Sequence, residues 1–355
     1  MSILTQYILK KFLKYFFIIL LSLELFFVGI DLMQNFKELP NSANLQLLYI
    51  LYNAFFTLSI TLPISIIFAW ITTLVYLVRH NELVASFSLG SSKKMIYMPV
   101  VFISTAILIA FISLQMTPLA YAYEQKSKII KGMYFTNTKS NLFLKYNNYF
   151  IYFKKLHPLE KKAQDIHIFK IKDNDIEQSI IAKSAHYQNN KWYVVDAKII
   201  TKPSNIGWDE SAISIRYEKF LDTLEGFNPK ILNNVYDTKS NFSILDAYKA
   251  LQLLDKQGVN TNKIKASLYY QLFSYFIVLP LIILFFAFIG VSSRFFNTAR
   301  FTAVSIFTTL VVWGIFFMLF KLSMGDVITA EIAVLLPLAL LYASTPLLLR
   351  IRTSS

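Results

Sequence analysis

Two long apolar stretches flank a polar middle segment in this chain. Residues 15–122 and 268–349 are almost continuously hydrophobic, whereas the segment between them mixes apolar with polar positions. A membrane-spanning helix needs about 20 predominantly apolar residues in succession. Each flank therefore has room for three crossings. The pattern predicts three spans, an external domain and then three more spans.

We place the six predicted spans at residues 15–33, 45–78, 96–121, 268–290, 301–322 and 328–349. The second is long enough to tilt or to project beyond the bilayer. Pro63, Pro280 and Pro337 lie within the second, fourth and sixth spans, and a proline removes a backbone hydrogen bond and can bend a helix.

The middle segment changes to the two-residue period of β-strands. A strand, an Asn147-Asn148 turn and a second strand are predicted between residues 141 and 153. Further strands are predicted at residues 166–172, 179–187 and 192–201. Short strands at such regular spacing are typical of a β-sandwich or a jelly roll.

A helical period returns at Ser243, which can cap a helix together with Asp246 three residues later. Gly258 can end this helix. Its predicted apolar stripe consists of Ile244, Leu245, Tyr248, Leu251 and Leu254. An amphipathic helix thus leads back to the second hydrophobic flank.

Four parts follow from these patterns. Residues 1–123 hold spans one to three, with a short loop helix at about residues 80–92. Residues 124–242 form a jelly-roll-like β domain, 243–265 a connecting helix, and 266–355 spans four to six. The predicted fold class is an α-helical membrane protein with six transmembrane helices and an inserted all-β domain.

Composition agrees with a membrane protein. The mean hydropathy is +0.48, and 55% of residues are hydrophobic against 16% charged. The chain has no cysteine, which excludes disulfides, thiolate metal sites and a cysteine nucleophile. The first apolar run is too long for a cleavable signal peptide, and no small-residue cleavage site follows it, so it is predicted to remain as a span.

The net charge of +14 raises the possibility of nucleic-acid binding, but its distribution points to membrane topology. One set of predicted span ends carries Lys10, Lys11, Lys14, Arg79, Lys93, Lys94, Arg294, Arg300, Arg350 and Arg352. The opposite ends carry only Lys37 and Lys321. Because basic residues favour the cytoplasmic side, both termini are predicted to be cytoplasmic. The β domain is then external, which in a Gram-negative bacterium means that it lies in the periplasm and that the spans cross the inner membrane.

Motifs for catalysis are missing from the sequence. No glycine is followed by lysine, as a nucleotide-binding P-loop requires, and the four histidines have no HExxH or other metal spacing. A Ser-His-Asp arrangement assembled in space is compatible with the sequence, but there is no GxSxG elbow. We expect no enzyme activity, no metal and no cofactor in this chain.

The loop between spans two and three predicts a short helix. Asn81 can cap it and Gly90 can end it, and its apolar face consists of Leu83, Val84 and Phe87. One interpretation is that this face docks into a groove of a cytoplasmic partner. The other is a helix on the membrane surface, with Glu82 favoured by the helix dipole.

Several short motifs occur along the chain in a fixed order. They are Gly29-Ile-Asp31-Leu-Met33, Leu62-Pro63, Arg79-x-x-Glu82-Leu-x-Ala-x-x-x-x-Gly90, Thr117-Pro118, Ile181-Ala-Lys-Ser-Ala-His-Tyr187 with Lys191-Trp192, Leu245-x-x-Tyr248 leading to Gly258, and Leu335-Leu-Pro337. By their order and layout, the chain resembles the LptF/LptG family of lipopolysaccharide export permeases over essentially its whole length. The first and sixth spans favour the LptG type.

This resemblance implies a permease subunit of an ATP-driven exporter that extracts lipopolysaccharide from the inner membrane. The implied partners are an LptF-like permease, an LptB-like ATPase dimer that holds ATP and Mg, and a periplasmic bridge of LptC- and LptA-like proteins. The ATPase would bind the loop helix, whose implied contact residues are Arg79, Glu82, Leu83, Phe87 and Gly90. Glu82 would then couple hydrolysis to lipid movement.

The cargo suggests further site residues. Lys37, Lys126, Lys128 and Lys131 could bind lipid phosphates, or could simply extend to ordinary headgroups. Some LptG-type members carry a lysine about one turn before Asp31, whereas this chain has Val28. Acyl chains could enter a groove lined by Phe150, Tyr152, Ile168, Ile181, Tyr193 and Val195, or these residues could be core only.

Two acids in the first span are candidates for a gate, Glu24 and Asp31. A charged group near mid-span costs roughly 2.5–3.5 kcal/mol on insertion scales, so Glu24 is expected to face other helices. Glu24 could contact a gate or partner, or it could be protonated and bonded to a neighbouring helix.

Two other classes of protein share parts of this layout. Another lipid or lipoprotein exporter is one, but lipoprotein-releasing permeases usually have one span before the external domain and three after it. A non-transporting tether or sensor is the other, but it should carry a signalling module, and only short segments flank the predicted spans.

Overall fold

The hydrophobic flanks fold into helices. The structure, a computed structural model, describes residues 3–132, 139–146, 148–157, 160–172, 175–189, 191–203, 213–225, 227, 243–254, 261–292, 294 and 296–353. The helices before the polar segment are α1 (Ile3–Asn35), α2 (Ala43–Arg79), α3 (Glu82–Ser88), α4 (Lys93–Gln115) and α5 (Ala122–Ile130). Those after it are α6 (Ile244–Leu254), α7 (Asn262–Phe273), α8 (Val278–Phe288), α9 (Thr298–Met324) and α10 (Leu336–Thr353).

Five helical segments of the described chain are long and apolar enough to cross a membrane. They are Ile3–Glu38, Ala43–Arg79, Lys93–Gln115, Asn262–Phe288 and Thr298–Met324. They correspond to the first five predicted spans, and with the β-sheet they confirm a helical membrane protein with an inserted β domain. The sixth predicted span falls on a shorter apolar helix, Glu331–Pro346, which starts with a π-helical turn, and its crossing remains a prediction.

The first helix begins twelve residues before the predicted span. Its early turns bury Ile8, Phe12 and Phe16, whose four-residue spacing places them on one face. The sequence prediction treated the lysines at positions 10, 11 and 14 as the edge of the membrane. These lysines lie within the continuous helix, because lysine is a good helix former and tolerates an exposed face, and their place at the membrane edge stays a prediction.

Span four is interrupted by a 3-10 turn, Ser274–Ile277, between α7 and α8. Pro280 has no backbone N–H, so the carbonyl of Phe276 four residues earlier loses its helical donor. The hydroxyl of Tyr342, on α10, donates to that carbonyl at 3.0 Å. The buried Trp70 indole of α2 donates to the carbonyl of Ile282 at 2.9 Å, so α8 is also tied to α2.

The polar segment forms one antiparallel sheet of six strands in chain order. The strands are β1 (Lys139–Tyr146), β2 (Tyr149–His157), β3 (Lys162–Lys172), β4 (Asp175–Gln188), β5 (Lys191–Thr201) and β6 (Ser214–Thr223). Each described strand pairs with the next, so these six strands form an antiparallel meander. This confirms an inserted all-β domain, and its jelly-roll-like form stays a prediction.

One face of the sheet carries the core of the β domain. The buried residues are Ile151, Phe153, Leu156, Ala163, Ile166, Ile168, Ile180, Ala182, Ala185, Trp192, Val194, Ala197, Ile199, Leu224 and Phe227. The Trp192 indole donates to the backbone carbonyl of Phe227 at 2.8 Å. Asp196 has a φ of 53°, and this irregularity lets both Val194 and Ala197 face the core.

The connecting helix confirms its predicted cap and corrects its predicted face. The N–H of Asp246 donates to the Ser243 hydroxyl at 3.2 Å. The buried positions are Ile244, Ala247 and Ala250. Leu245 and Tyr248 are exposed by 48% and 55%, so they were wrongly assigned to the packed stripe. Alanines pack there because they allow close approach; Gly258 and the Leu254 side chain lie outside what the structure describes.

The chain forms two compact units. One comprises Met1–Ile130, Asn241–Leu251 and Asn260–Ser355, and the other comprises Lys131–Ser240 and Gln252–Val259. The first contains the helices apart from residues 252–254 at the end of α6, and the second contains these residues and the sheet. The four-part division of the sequence, with boundaries after residues 123, 242 and 265, stays a prediction.

Candidate functional site

The short helix α3 follows α2 after a sharp turn. Asn81 has a φ of 56°, a left-handed conformation that asparagine tolerates better than most residues. Asn81 occupies the N-cap position of α3 as predicted, although its side chain makes no capping hydrogen bond to α3. Asn81 instead supplies the backbone turn that starts α3 at Glu82.

The end of α3 is set by glycine, as predicted. Gly90 has a φ of 78°, and its N–H donates to the carbonyl of Phe87 at 2.9 Å. The N–H of Ser91 donates to the carbonyl of Ser86 at 3.1 Å. This pair of bonds is the Schellman motif, in which a left-handed glycine closes the last turn.

Glu82 is held by the first helix. The hydroxyl of Tyr7 in α1 donates to Oε1 of Glu82 at 2.8 Å. The other carboxylate oxygen, Oε2, is buried and has no hydrogen-bond partner within the described residues. The sequence prediction missed Tyr7, because it placed the start of the first span beyond this residue.

The expected apolar face of α3 is not fully open. Leu83 is 2% exposed and packs inside the chain, whereas Val84 and Phe87 are half-buried. Leu89, just after the helix, is 86% exposed. Because α3 folds back after a short turn, the side chain of Leu83 packs within the chain. Val84, Phe87 and Leu89 are the apolar groups left for a partner.

Basic and aromatic groups surround the start of α3. Arg79 donates from Nε to the Thr298 hydroxyl of α9 at 3.3 Å. The His80 ring stacks on Tyr76 with centroids 4.1 Å apart, and the Lys11 ammonium lies 3.8 Å from the Tyr76 ring centroid. Such contacts between a cation and an aromatic face are attractive. They place α1, α2 and α3 side by side at this end of the helical unit.

A second polar cluster lies at the other end of α1. The Lys126 ammonium of α5 forms an ion pair with Asp31 and donates to Oδ1 of Asn53 at 2.8 Å. The Tyr49 hydroxyl also donates to Asp31, and Asn35 donates to the Asp31 backbone carbonyl at 2.9 Å. Lys126 and Asn53 are buried. One carboxylate thus ties α1 to both α2 and α5.

The four lysines expected to bind lipid phosphates occupy different surroundings. Lys126 is 6% exposed and its charge is balanced by Asp31. Lys128 pairs with Glu124, one helical turn away, at 2.6 Å. Lys37 and Lys131 are exposed. Two of the four are therefore already paired within the chain, and phosphate binding by this set remains a prediction.

Glu24 is bonded to the neighbouring helix. The Thr57 hydroxyl donates to Oε2 at 2.6 Å and the Thr61 hydroxyl donates to Oε1 at 2.8 Å. Each threonine also has a backbone carbonyl within reach, that of Asn53 at 3.0 Å for Thr57 and that of Thr57 at 3.2 Å for Thr61. The predicted bond between Glu24 and a neighbouring helix is therefore present, and the gate interpretation stays a prediction.

The six candidates for an acyl-chain groove do not share one face. Phe150, Tyr152, Ile181, Tyr193 and Val195 are half-buried and lie opposite the core. Ile168 is fully buried and pairs in register with Ile151 and Ile180, which are both core residues. Ile168 therefore belongs to the core, because neighbours in register across a sheet point to the same side.

Comparison with known proteins gives one family. The family model described as "Lipopolysaccharide export system permease LptF/LptG" matches residues 6–351 of the 355. This span includes both helical flanks and the β domain. The search of curated proteins found no match.

Proposed function

The chain belongs to the LptF/LptG family of lipopolysaccharide export permeases, and from this premise we propose how it acts. We propose that it is the permease subunit of an ATP-driven exporter. It would extract lipopolysaccharide from the inner membrane and pass it to a periplasmic bridge toward the outer membrane. The match over residues 6–351 carries this proposal, because it covers the spans and the inserted domain together.

The motor is proposed to be a separate protein. The sequence has no P-loop, so we expect ATP and Mg to be held by an LptB-like cytoplasmic ATPase dimer. The ATPase would dock on α3, where Phe87 and Leu89 offer apolar surface and Glu82 offers a carboxylate. Arg79 and Gly90 would support this site by placing the two ends of α3.

A second permease subunit is proposed to cover the most open helices. In the most apolar stretch of each long helix, only 6% of the residues of α1 and 17% of those of α9 are buried within the chain. The corresponding share is 39–56% in the other long helices. Apolar faces that their own chain leaves uncovered can meet lipid or another helix. We propose that an LptF-like subunit and the lipid cargo share these faces.

The orientation and cargo contacts complete the proposal. Both termini would be cytoplasmic and the β domain periplasmic, next to LptC- and LptA-like bridge proteins. Lys37 and Lys131 are the exposed candidates for lipid phosphates. Phe150, Tyr152 and Tyr193 would line a surface for acyl chains on the face of the sheet opposite the core.

The proposed coupling is tested by reversing one charge. In purified permease complexes, Glu82→Lys should lower the amount of bound ATPase and stop lipid export, while membrane insertion stays normal. Phe87→Ala should weaken binding through lost packing. Glu331→Lys is the matched control, since it makes the same charge change at an exposed site away from α3. Normal ATPase content and normal export with Glu82→Lys would show that α3 is only a membrane-surface helix.

A further inference from the structure

The hydrogen bond between Tyr7 and Glu82 joins groups that are 75 residues apart. Tyr7 lies in the early turns of α1, and the next residue, Ile8, is 1% exposed, with Phe12 fully buried one turn later. These anchors hold the tyrosine in a defined position against α3. The Tyr7 side chain is itself 36% exposed, so its hydroxyl donates to Glu82 at the surface from a helix turn that buried neighbours anchor.

The Glu82 carboxylate is only half satisfied within the chain. Its Oε1 accepts from Tyr7, whereas Oε2 is buried without a partner among the residues described. An unpaired buried carboxylate oxygen is costly, so such an atom calls for a donor. The nearby cations are engaged elsewhere, since Lys11 lies over the Tyr76 ring and Arg79 contacts Thr298.

We propose that Tyr7 is a positioning residue for the coupling carboxylate. By holding Oε1, it fixes the carboxylate at the start of α3 in the orientation that a cationic side chain of the ATPase would meet. This inference rests on the proposed docking of the ATPase at α3. The docking surface is then composite, with the start of α1 contributing as well as α3. A guanidinium or an ammonium is the chemical group that binds a carboxylate most strongly.

The test is a double-mutant cycle in the assembled permease complex reconstituted in nanodiscs. Labelled ATPase is titrated onto wild type, Tyr7→Phe, Glu82→Gln and the double variant. Tyr7→Phe keeps the ring and removes only the hydroxyl, and we expect it to weaken binding by on the order of tenfold, as for a lost bond to a charged group. The double variant should bind no more weakly than Glu82→Gln alone, because Tyr7 acts through the carboxylate.

Tyr15→Phe is the matched control. Tyr15 lies two turns along the same helix and packs near Tyr76 with centroids 6.2 Å apart, without a hydrogen bond to Glu82. Its variant should bind the ATPase as wild type does.

The outcomes separate this inference from the proposed function. If Tyr7→Phe binds normally while Glu82→Gln binds weakly, Tyr7 does not position the carboxylate, but Glu82 still couples. If the losses from Tyr7→Phe and Glu82→Gln add, the Tyr7 hydroxyl acts independently of the carboxylate, and the positioning role is overturned. If neither variant weakens binding, the role of Glu82 in docking fails as well.

Discussion

Lys126 forms a buried ion pair with Asp31, 95 residues earlier in the chain. The pair joins α5, the last helix before the β domain in sequence, to the outer end of the first span. Sequence analysis had assigned Lys126 to lipid phosphates and Asp31 to a gate. The structure shows that each neutralises the other, so their first effect is on the stability of the helical unit.

Removing one member of this pair should destabilise the protein. Lys126→Met leaves the Asp31 carboxylate without its cation, and Asp31→Asn leaves a buried ammonium. We expect each to cost about 3 kcal/mol, at the lower end for buried pairs because Asp31 is partly exposed. Thermal unfolding of the purified protein measures this loss.

Two further variants sharpen that test. Lys37→Met removes an exposed lysine and should leave the unfolding temperature unchanged. The double variant Asp31→Leu/Lys126→Leu should lose less than the two single losses combined, since no unpaired charge remains. Unfolding temperatures for Lys126→Met equal to those of the Lys37 control would show that the pair contributes nothing.

Glu24 should matter little for stability. When it is replaced by leucine, the Thr57 and Thr61 hydroxyls can still donate to their backbone carbonyls at 3.0 and 3.2 Å. No buried donor is orphaned, so we expect Glu24→Leu to change stability by no more than about 1 kcal/mol, as for other polar contacts between membrane helices. A loss as large as that of Asp31→Asn would contradict this. A fall in export at unchanged stability would support the gate interpretation.

Alkaline pH should loosen the contact between Tyr121 and Asp246. Burial, followed by the hydrogen bond to Asp246, raises the pKa of Tyr121 to about 12 from its ordinary 10.0. Because the folded pKa is the higher one, this contribution is complete below the ordinary value and is lost as pH rises through the folded value.

We therefore expect Tyr121→Phe to be less stable than wild type by about 1.5–3 kcal/mol below pH 10, as for a bond to a charged acceptor. The difference in unfolding temperature should shrink as pH approaches 12. Tyr217→Phe, at a tyrosine that is 74% exposed, should show no such trend. A difference for Tyr121→Phe that is constant across this range would refute the assignment.

The two faces of the β-sheet should respond differently to probes. Photocrosslinkers at Phe150, Tyr152, Ile181, Tyr193 and Val195 are expected to form lipid adducts that depend on ATP. A crosslinker at Ile168 should form none, and Ile168→Ala should destabilise the domain by about 2–5 kcal/mol, since that side chain is fully buried. If no position gives an adduct, the outer face is not a lipid path.

Topology can be tested without removing any native thiol, because the chain has no cysteine. Cysteines introduced at Ser2 and Ser354, which lie outside the described residues, should resist an impermeant thiol reagent in intact spheroplasts. A cysteine at Asn189, an exposed position after β4, should react. Labelling at either terminus would overturn the predicted orientation.

The parts of the fold that follow from local pattern were predictable from sequence. A membrane sets a minimum length for an apolar helix, so α2 and α9 were placed within a few residues. The alternation of apolar and polar residues likewise placed β2 to β5 within a few residues. β6 was missed because Lys219 breaks the apolar alternation of its first half before Phe220 and Leu221, and backbone pairing with β5 holds the strand regardless.

The contacts of the candidate site could not be predicted in this way. Periodicity shows which face of a helix is apolar, but not which distant residue meets a given polar group. The partners of Glu82 and Asp31 are 75 and 95 residues away. The sequence pattern also placed Leu245 and Tyr248 on the apolar stripe of α6, whereas the smaller Ala247 and Ala250 are the buried residues.

The first helix is fastened at both ends, by Glu82 to Tyr7 and by Lys126 to Asp31. It is helical without interruption between these anchors, from Ile3 to Asn35. Between Tyr7 and Asp31 it spans about 36 Å, and the rise of about 1.5 Å per residue makes that distance stiff. The first helix is therefore a rigid connection between its two anchored ends. An axial displacement of one fastening must shift the other by the same distance or break it, which makes movement of α3 and movement of α5 a single mechanical event.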